Sequence, residues 1–242
     1  MKILVTGATG SIGRHVVDEA IGQGHEVRAL VRGPGKLKPR PRLEIVVADL
    51  IQLPTLAAAV EGVDAVVFTH GTYGSPLDAE TVDYGGVRNV LLALGDRPAR
   101  VALMTAIAVT DRKGAHDWKR RAERLVRRSG RPYTIVRPGW FDHNEPDQLR
   151  LHFLQGDRRQ SGTPRDGVIA RRQVARVLVD SLTSGAAVRK TLELVAARGS
   201  EQEDLDPLFA ALATDDIGSL SMLPRTYRTC RSKKSRPPYT AT

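Results

Sequence analysis

Cysteine is almost missing from this 242-residue sequence: Cys230 stands alone, which excludes an internal disulfide framework and any CxxC metal pair. No metal ligands are expected, and a reducing compartment is the natural setting. Long apolar runs are missing as well. No stretch reaches the ~18 uninterrupted apolar residues of a membrane span. Lys2 leads directly into apolar residues rather than into a basic, apolar, small-residue export signal. A cytoplasmic protein with no membrane partner is therefore expected. Acidic residues are missing beyond Asp216, where Arg225, Arg228, Arg231, Lys233, Lys234 and Arg236 supply six of the ten net positive charges. Without those six the excess is only four, so the basic character belongs mostly to the tail. That tail has no apolar periodicity and reads as a solvated, flexible extension rather than a nucleic-acid arm. The expectation is one folded domain over 1–215, a basic tail over 216–242 and no internal repeat, in a monomer or homodimer.

What is present is concentrated first in Lys2 to Arg14. Ile3, Leu4 and Val5 form a continuously apolar strand of the kind buried on both faces of a parallel sheet, and helical spacing starts at Ile12, Val16 and Val17. Gly7, Gly10 and Gly13 punctuate the turn between them. A pyrophosphate approaches backbone only where side chains are missing, and the first N–H groups of a helix, aided by its dipole, face such a charge. Thr9, Ser11 and Ile12 complete this expected cradle.

The same alternation then repeats. Strands are expected at Glu26–Val31, Leu43–Val47, Ala65–Phe68, Val101–Met104, Tyr133–Val136, Val168–Ala170 and Thr191–Val195. Helices are expected at 54–60, 81–94, 117–128, 173–182 and about 205–212. Strands alternating with helices imply crossovers, hence an α/β fold with a Rossmann-type, doubly wound parallel sheet. From Trp140 to Gly167 the pattern dissolves into a polar stretch, expected to lie past the carboxyl ends of the strands as a small substrate-side region.

Five segments together resemble the atypical short-chain dehydrogenase/reductases, and among them the NmrA-like and flavin-reductase-like branch. They are the glycine turn from Thr6 to Gly13, Asp49-Leu50, the run from Val82 to Asn89, the run from Lys119 to Glu123, and the run from Tyr133 to Gly139. The resemblance covers about residues 1–197 and implies a bound nicotinamide dinucleotide. By it, Asp49 accepts from the adenine amino group while Leu50 packs on the ring, and Thr69, His70 and Gly71 are further contacts. It also implies that Lys119 holds a ribose hydroxyl, and that Pro138, Gly139 and Trp140 border the nicotinamide.

Charge favours NADP(H) over NAD(H). An acid at the end of the second strand accepts ribose hydroxyls in an NAD site and repels a 2′-phosphate. Here that end carries Arg32, with Arg14 and Lys36 within possible reach, and a guanidinium suits a phosphate bidentately. The family's tyrosine acid, four residues before the lysine, is replaced by Ala115, and its serine by Thr105, which retains a hydroxyl. His70, His116 and His143 are the alternative acids, with His143 preferred for its place after the Arg-Pro-Gly turn.

Two functions lead, with other chemistry on the same fold, such as an epimerase or dehydratase role, as a smaller alternative. One is an NADP(H)-dependent oxidoreductase transferring hydride to a small flavin-, quinone- or carbonyl-type acceptor. The other is a non-catalytic dinucleotide-binding redox sensor of the NmrA type.

Overall fold

The computed structural model describes residues 1–72 and 75–216. The expected basic tail, 216–242, lies outside the described residues from 217 onward, Cys230 included. Among the described residues ten strands form one sheet: β1 (Lys2–Thr6), β2 (Glu26–Val31), β3 (Leu43–Val47), β4 (Ala65–Phe68), β5 (Arg100–Met104), β6 (Tyr133–Pro138), β7 (Trp140–Phe141), β8 (Arg150–Leu154), β9 (Val168–Ile169) and β10 (Lys190–Ala197). Their order is β3-β2-β1-β4-β5-β6-β10-β9-β7, with β8 also paired to β10. Every pairing from β3 across to β10 is parallel, whereas β8 and β9 run antiparallel to β10. This is the expected Rossmann-type sheet, with antiparallel additions at one side.

Helices cover both faces. They are α1 (Gly13–Gly22), α2 (Pro76–Asp78), α3 (Gly85–Leu94), α4 (Ala115–Arg128), α5 (Arg171–Thr183) and α6 (Asp206–Ala210). Successive side chains of a strand point to opposite faces. Ile3 and Val5 accordingly pack with Val16, Val17 and Ala20 of α1 and with Val174, Val177 and Leu178 of α5. Leu4, Val66 and Phe68 pack on the other face with Val87 and Val90 of α3 and with Ala122 and Val126 of α4. Both faces of β1 and β4 are buried, which is why these strands read as unbroken apolar runs.

Three elements differ from expectation. The helix expected over 54–60 is only a 3₁₀ turn, Leu53–Leu56, followed by further turns. Arg28, buried on β2, caps the end of these turns: its Nη1 donates to the carbonyls of Ala58, Ala59 and Glu61 at 3.0, 3.1 and 2.6 Å, and its Nε to Glu44 Oε2 at 2.9 Å. Arg28→Met should therefore lower stability by about 1–3 kcal/mol by stranding these acceptors. That corresponds to roughly 2–4 °C in Tm per kcal/mol for a chain of this size, measurable by calorimetry.

The single helix expected over 81–94 is instead the short α2, a π-helical stretch Ala79–Tyr84, and α3. The stretch from 140 to 167 contains strands β7 and β8. In β8 the buried Leu151 alternates with exposed Arg150 and His152, but five residues are too few for the alternation to stand out in sequence.

Candidate functional site

A cleft of about 750 Å³ opens at the carboxyl ends of the parallel strands, around the point between β1 and β4 where strand order reverses. Loops after β1 to β6 all contribute to it. From β1 come Gly7, Thr9, Gly10, Ser11 and Ile12. Arg32 follows β2, Asp49 and Leu50 follow β3, and Thr69, His70 and Gly71 follow β4. Thr105 follows β5, and Pro138, Gly139 and Trp140 close β6, with Lys119 entering from α4. Sixteen of the nineteen residues expected from sequence thus line one cavity.

Three of the nineteen do not line it, and neither does Lys36, named beside Arg14 for the phosphate. Gly13 sits behind the turn, where a Cβ would fall 2.1 Å from the Gly7 carbonyl oxygen; its role is close packing of α1 against that turn. Arg14 is exposed, with Nε donating to the Thr9 carbonyl at 3.1 Å, so it braces the turn from outside. His143 is exposed on the loop after β7, its ring edge-on to Trp140 with centroids 6.1 Å apart. Sequence proximity to the Arg-Pro-Gly turn placed His143 near the cleft, but its neighbour Trp140 lines the cavity and His143 does not.

At the end of the cleft after β3, Asp49 Oδ1 accepts from the Ile51 N–H at 3.1 Å, and Asn89 of α3 donates to the Leu50 carbonyl at 2.8 Å, fixing this loop. At the opposite end the lysine is held by a partner that sequence reasoning missed. Asp83, buried in the π-helical stretch, forms an ion pair with Lys119 Nζ and accepts from the Thr72 hydroxyl at 2.6 Å. Asp83 and Lys119 are 36 residues apart, and no local pattern links them.

His70 has internal hydrogen-bond partners at both ring nitrogens. Its Nε2 lies 3.1 Å from the Val82 carbonyl, which only accepts, so Nε2 carries the hydrogen; Nδ1 then accepts from the Thr6 hydroxyl at 2.8 Å. Burial pushes its pKa down to about 4, with Lys119 adding to that and Asp83 and the Val82 carbonyl opposing it. The ring is neutral near pH 7 and ties β1 and β4 to the π-helical stretch.

Thr105 belongs to a buried ionic cluster. Its hydroxyl donates to Glu123 Oε1 at 2.9 Å, while Arg137 grips both oxygens of Glu123 at 2.8 and 2.7 Å. Arg120 and Arg127 add contacts at 2.6 and 3.2 Å. With its hydrogen committed to Glu123, the Thr105 hydroxyl faces a ligand as an acceptor, not as a donor to a carbonyl. Arg137 of the Arg-Pro-Gly segment is thus structural: it anchors the cleft floor and does not reach into the cavity.

The family described as NAD(P)H-binding matches residues 7–185. The chain belongs to this family. A relative in Saccharomyces cerevisiae, UPF0659 protein YMR090W, is 30% identical over 81% of this chain and 93% of its own length. The crystal structure of the oxidoreductase ylbE of Lactococcus lactis has the same fold, with a TM-score of 0.71 at 16% identity over 88% of this chain and 96% of that one. So does ChuY, an anaerobillin reductase of Escherichia coli O157:H7, with a TM-score of 0.66 at 19% identity over 81% of this chain and 97% of that one.

The residues fit a dinucleotide. A Cβ on Gly10 would meet only the Gly7 carbonyl oxygen, at 3.1 Å, so internal packing makes a weaker demand for glycine here than at Gly13. Gly10 also lines the cleft, where a bare backbone lets a phosphate approach. Among the described residues, no helix is long and apolar enough to cross a membrane.

Proposed function

We propose that the protein is an NADPH-dependent reductase of a small carbonyl-, quinone- or flavin-type acceptor that works without a tyrosine acid. The observation that carries this reading is one continuous cleft running from Arg32 and Asp49, past the glycine turn, to Lys119 and an end walled by Met104, Trp140 and Phe141. When bound, the reduced nicotinamide supplies a hydride to the acceptor. The chain contributes the rest. Gly7 to Ile12 receive the pyrophosphate and Arg32 the 2′-phosphate. Lys119, steadied by Asp83, donates to a ribose hydroxyl, and Thr105 accepts from the carboxamide nitrogen. The apolar end holds a flat, conjugated acceptor near the reacting carbon, where proximity supplies much of the rate. The reductase named among the structural relatives supports this chemistry as analogy of fold.

Arg32→Ala should weaken NADPH binding by about 10- to 100-fold, the range of a charge-assisted contact, and change NADH binding little. Fluorescence titration of both cofactors checks this. An unchanged NADPH/NADH ratio removes the phosphate assignment.

A second reading is favoured by Ala115, which lines the cleft where the resemblance calls for a tyrosine. It is a dinucleotide sensor whose output is a partner contact. NADPH oxidation by the purified protein with flavins, quinones and enals decides between the two. Turnover selects the reductase, and tight binding without turnover selects the sensor.

A further inference from the structure

We propose that His116 is the catalytic proton donor of this cleft, standing in for the tyrosine that Ala115 replaces; this rests on the reductase reading. His116 lines the cleft in the first turn of α4, three residues before Lys119 and so on the same side of the helix. Its ring is oriented by a built support. Nδ1 lies 3.2 Å from the carbonyl oxygen of Ala108, and a carbonyl only accepts, so Nδ1 carries a hydrogen and Nε2 is the nitrogen left to serve a ligand.

Ala108 holds that carbonyl in place through an unusual backbone. It is left-handed, with φ +60° and ψ 14°, a conformation that alanine keeps only where its surroundings impose it. The imposing group is Asp157, which is buried. Its Oδ1 accepts from the Ala108 N–H at 2.7 Å, and its Oδ2 accepts from the N–H and hydroxyl of Thr110 at 2.8 and 2.7 Å. Asp157 is therefore a positioning residue, acting through Ala108 on His116. Strain of this kind gathers at working sites, and here it fixes which nitrogen of the imidazole is presented to the cleft.

The step balances as follows. The acceptor's carbonyl carbon gains hydrogen with an electron pair from NADPH, and the C=O π pair moves onto oxygen. The Nε2–H bond of the His116 imidazolium breaks as an O–H bond forms at that oxygen. Imidazole is left neutral, with Nδ1–H still on Ala108, and regains its proton from water.

The test uses the full chain and His116→Asn, which keeps an N–H donor near the place of Nδ1 but carries no transferable proton. Nitrogen-15 NMR of histidine-labelled protein, with the His116 signals identified by their loss in the variant, should show neutral His116 as the Nδ1–H tautomer. The variant should bind NADP⁺ within about 2-fold of the parent and keep its Tm, yet lose about 100-fold or more in kcat with quinone and aldehyde acceptors. An Nε2–H tautomer, or an undiminished kcat in the variant, overturns the proton-donor assignment alone. A parent protein that binds NADPH but reduces no acceptor overturns the reductase reading itself and the assignment with it.

Discussion

Replacing Glu123 by alanine is expected to destabilise the protein by about 3–5 kcal/mol, the cost of leaving a buried charge without its partner. Glu123 is fully buried and is the hub at which Arg137, Arg120, Arg127 and the Thr105 hydroxyl meet. Arg137 is almost as buried, and its remaining acidic neighbours, Glu193 and Asp157, stand at 3.7 and 3.9 Å, beyond direct hydrogen-bonding distance. Removal of the hub therefore strands a guanidinium in the interior beneath the cleft floor. Urea unfolding monitored by circular dichroism measures the loss; a change below about 0.5 kcal/mol, the scale of a neutral surface substitution, would show that the cluster is held otherwise.

Gly10→Val should abolish dinucleotide binding while the protein stays folded, whereas Gly13→Val should prevent stable folding. The contrast follows from two distances. A Cβ at Gly10 lies 3.1 Å from the Gly7 carbonyl oxygen, a contact that a shift of a few tenths of an ångström relieves. At Gly13 the corresponding distance is 2.1 Å, with the Gly7 carbonyl carbon at 2.7 Å, and only separation of α1 from its turn would relieve it. A valine at position 10 projects its methyl groups where phosphate oxygens must approach backbone N–H groups, so a loss of at least about 100-fold in affinity is expected, the size of one or two strong hydrogen bonds. Cofactor fluorescence and thermal unfolding of both variants separate the two effects. Unchanged NADPH affinity in a folded Gly10→Val protein would sink the cradle.

Acid should unfold the protein in two overlapping stages. His70 is held neutral by burial, with a folded pKa of about 4 against the usual 6.5. Its unfolded form takes up a proton first, so stability falls as pH drops from about 6.5 to 4. Glu123 follows. Burial raises its pKa, but its hydrogen bonds and charge interactions with Arg137, Arg127 and Arg120 outweigh burial and hold it at about 2 against the usual 4.5. That difference is worth about 3 kcal/mol above pH 4.5, and it is lost as pH falls toward 2. The measurement is Tm against pH: His70→Asn should flatten the upper stage only, and Glu123→Gln the lower.

What the sequence determined by itself is what neighbouring residues decide among themselves. Ile3 to Val5 are apolar on both sides because β1 is buried on both faces. Gly7 to Gly13 mark a strand turning into a helix, and Arg32 stands at the end of β2 wherever the sheet packs. These are signals of period, turn and terminus, and they were enough for the fold class and for sixteen residues of the cleft. Only the tertiary structure decided the rest, because each remaining feature needs groups far apart in the chain. Arg28 reaches 33 residues on to the Glu61 carbonyl and caps the turns where a helix was expected. The π-helical stretch brings Asp83 to Lys119, and β8 finds its partner 40 residues later in β10. The choice between histidines has the same origin. His143 does not line the cavity, while His116 does, its ring held on the carbonyl of Ala108 that Asp157, 49 residues further on, fixes.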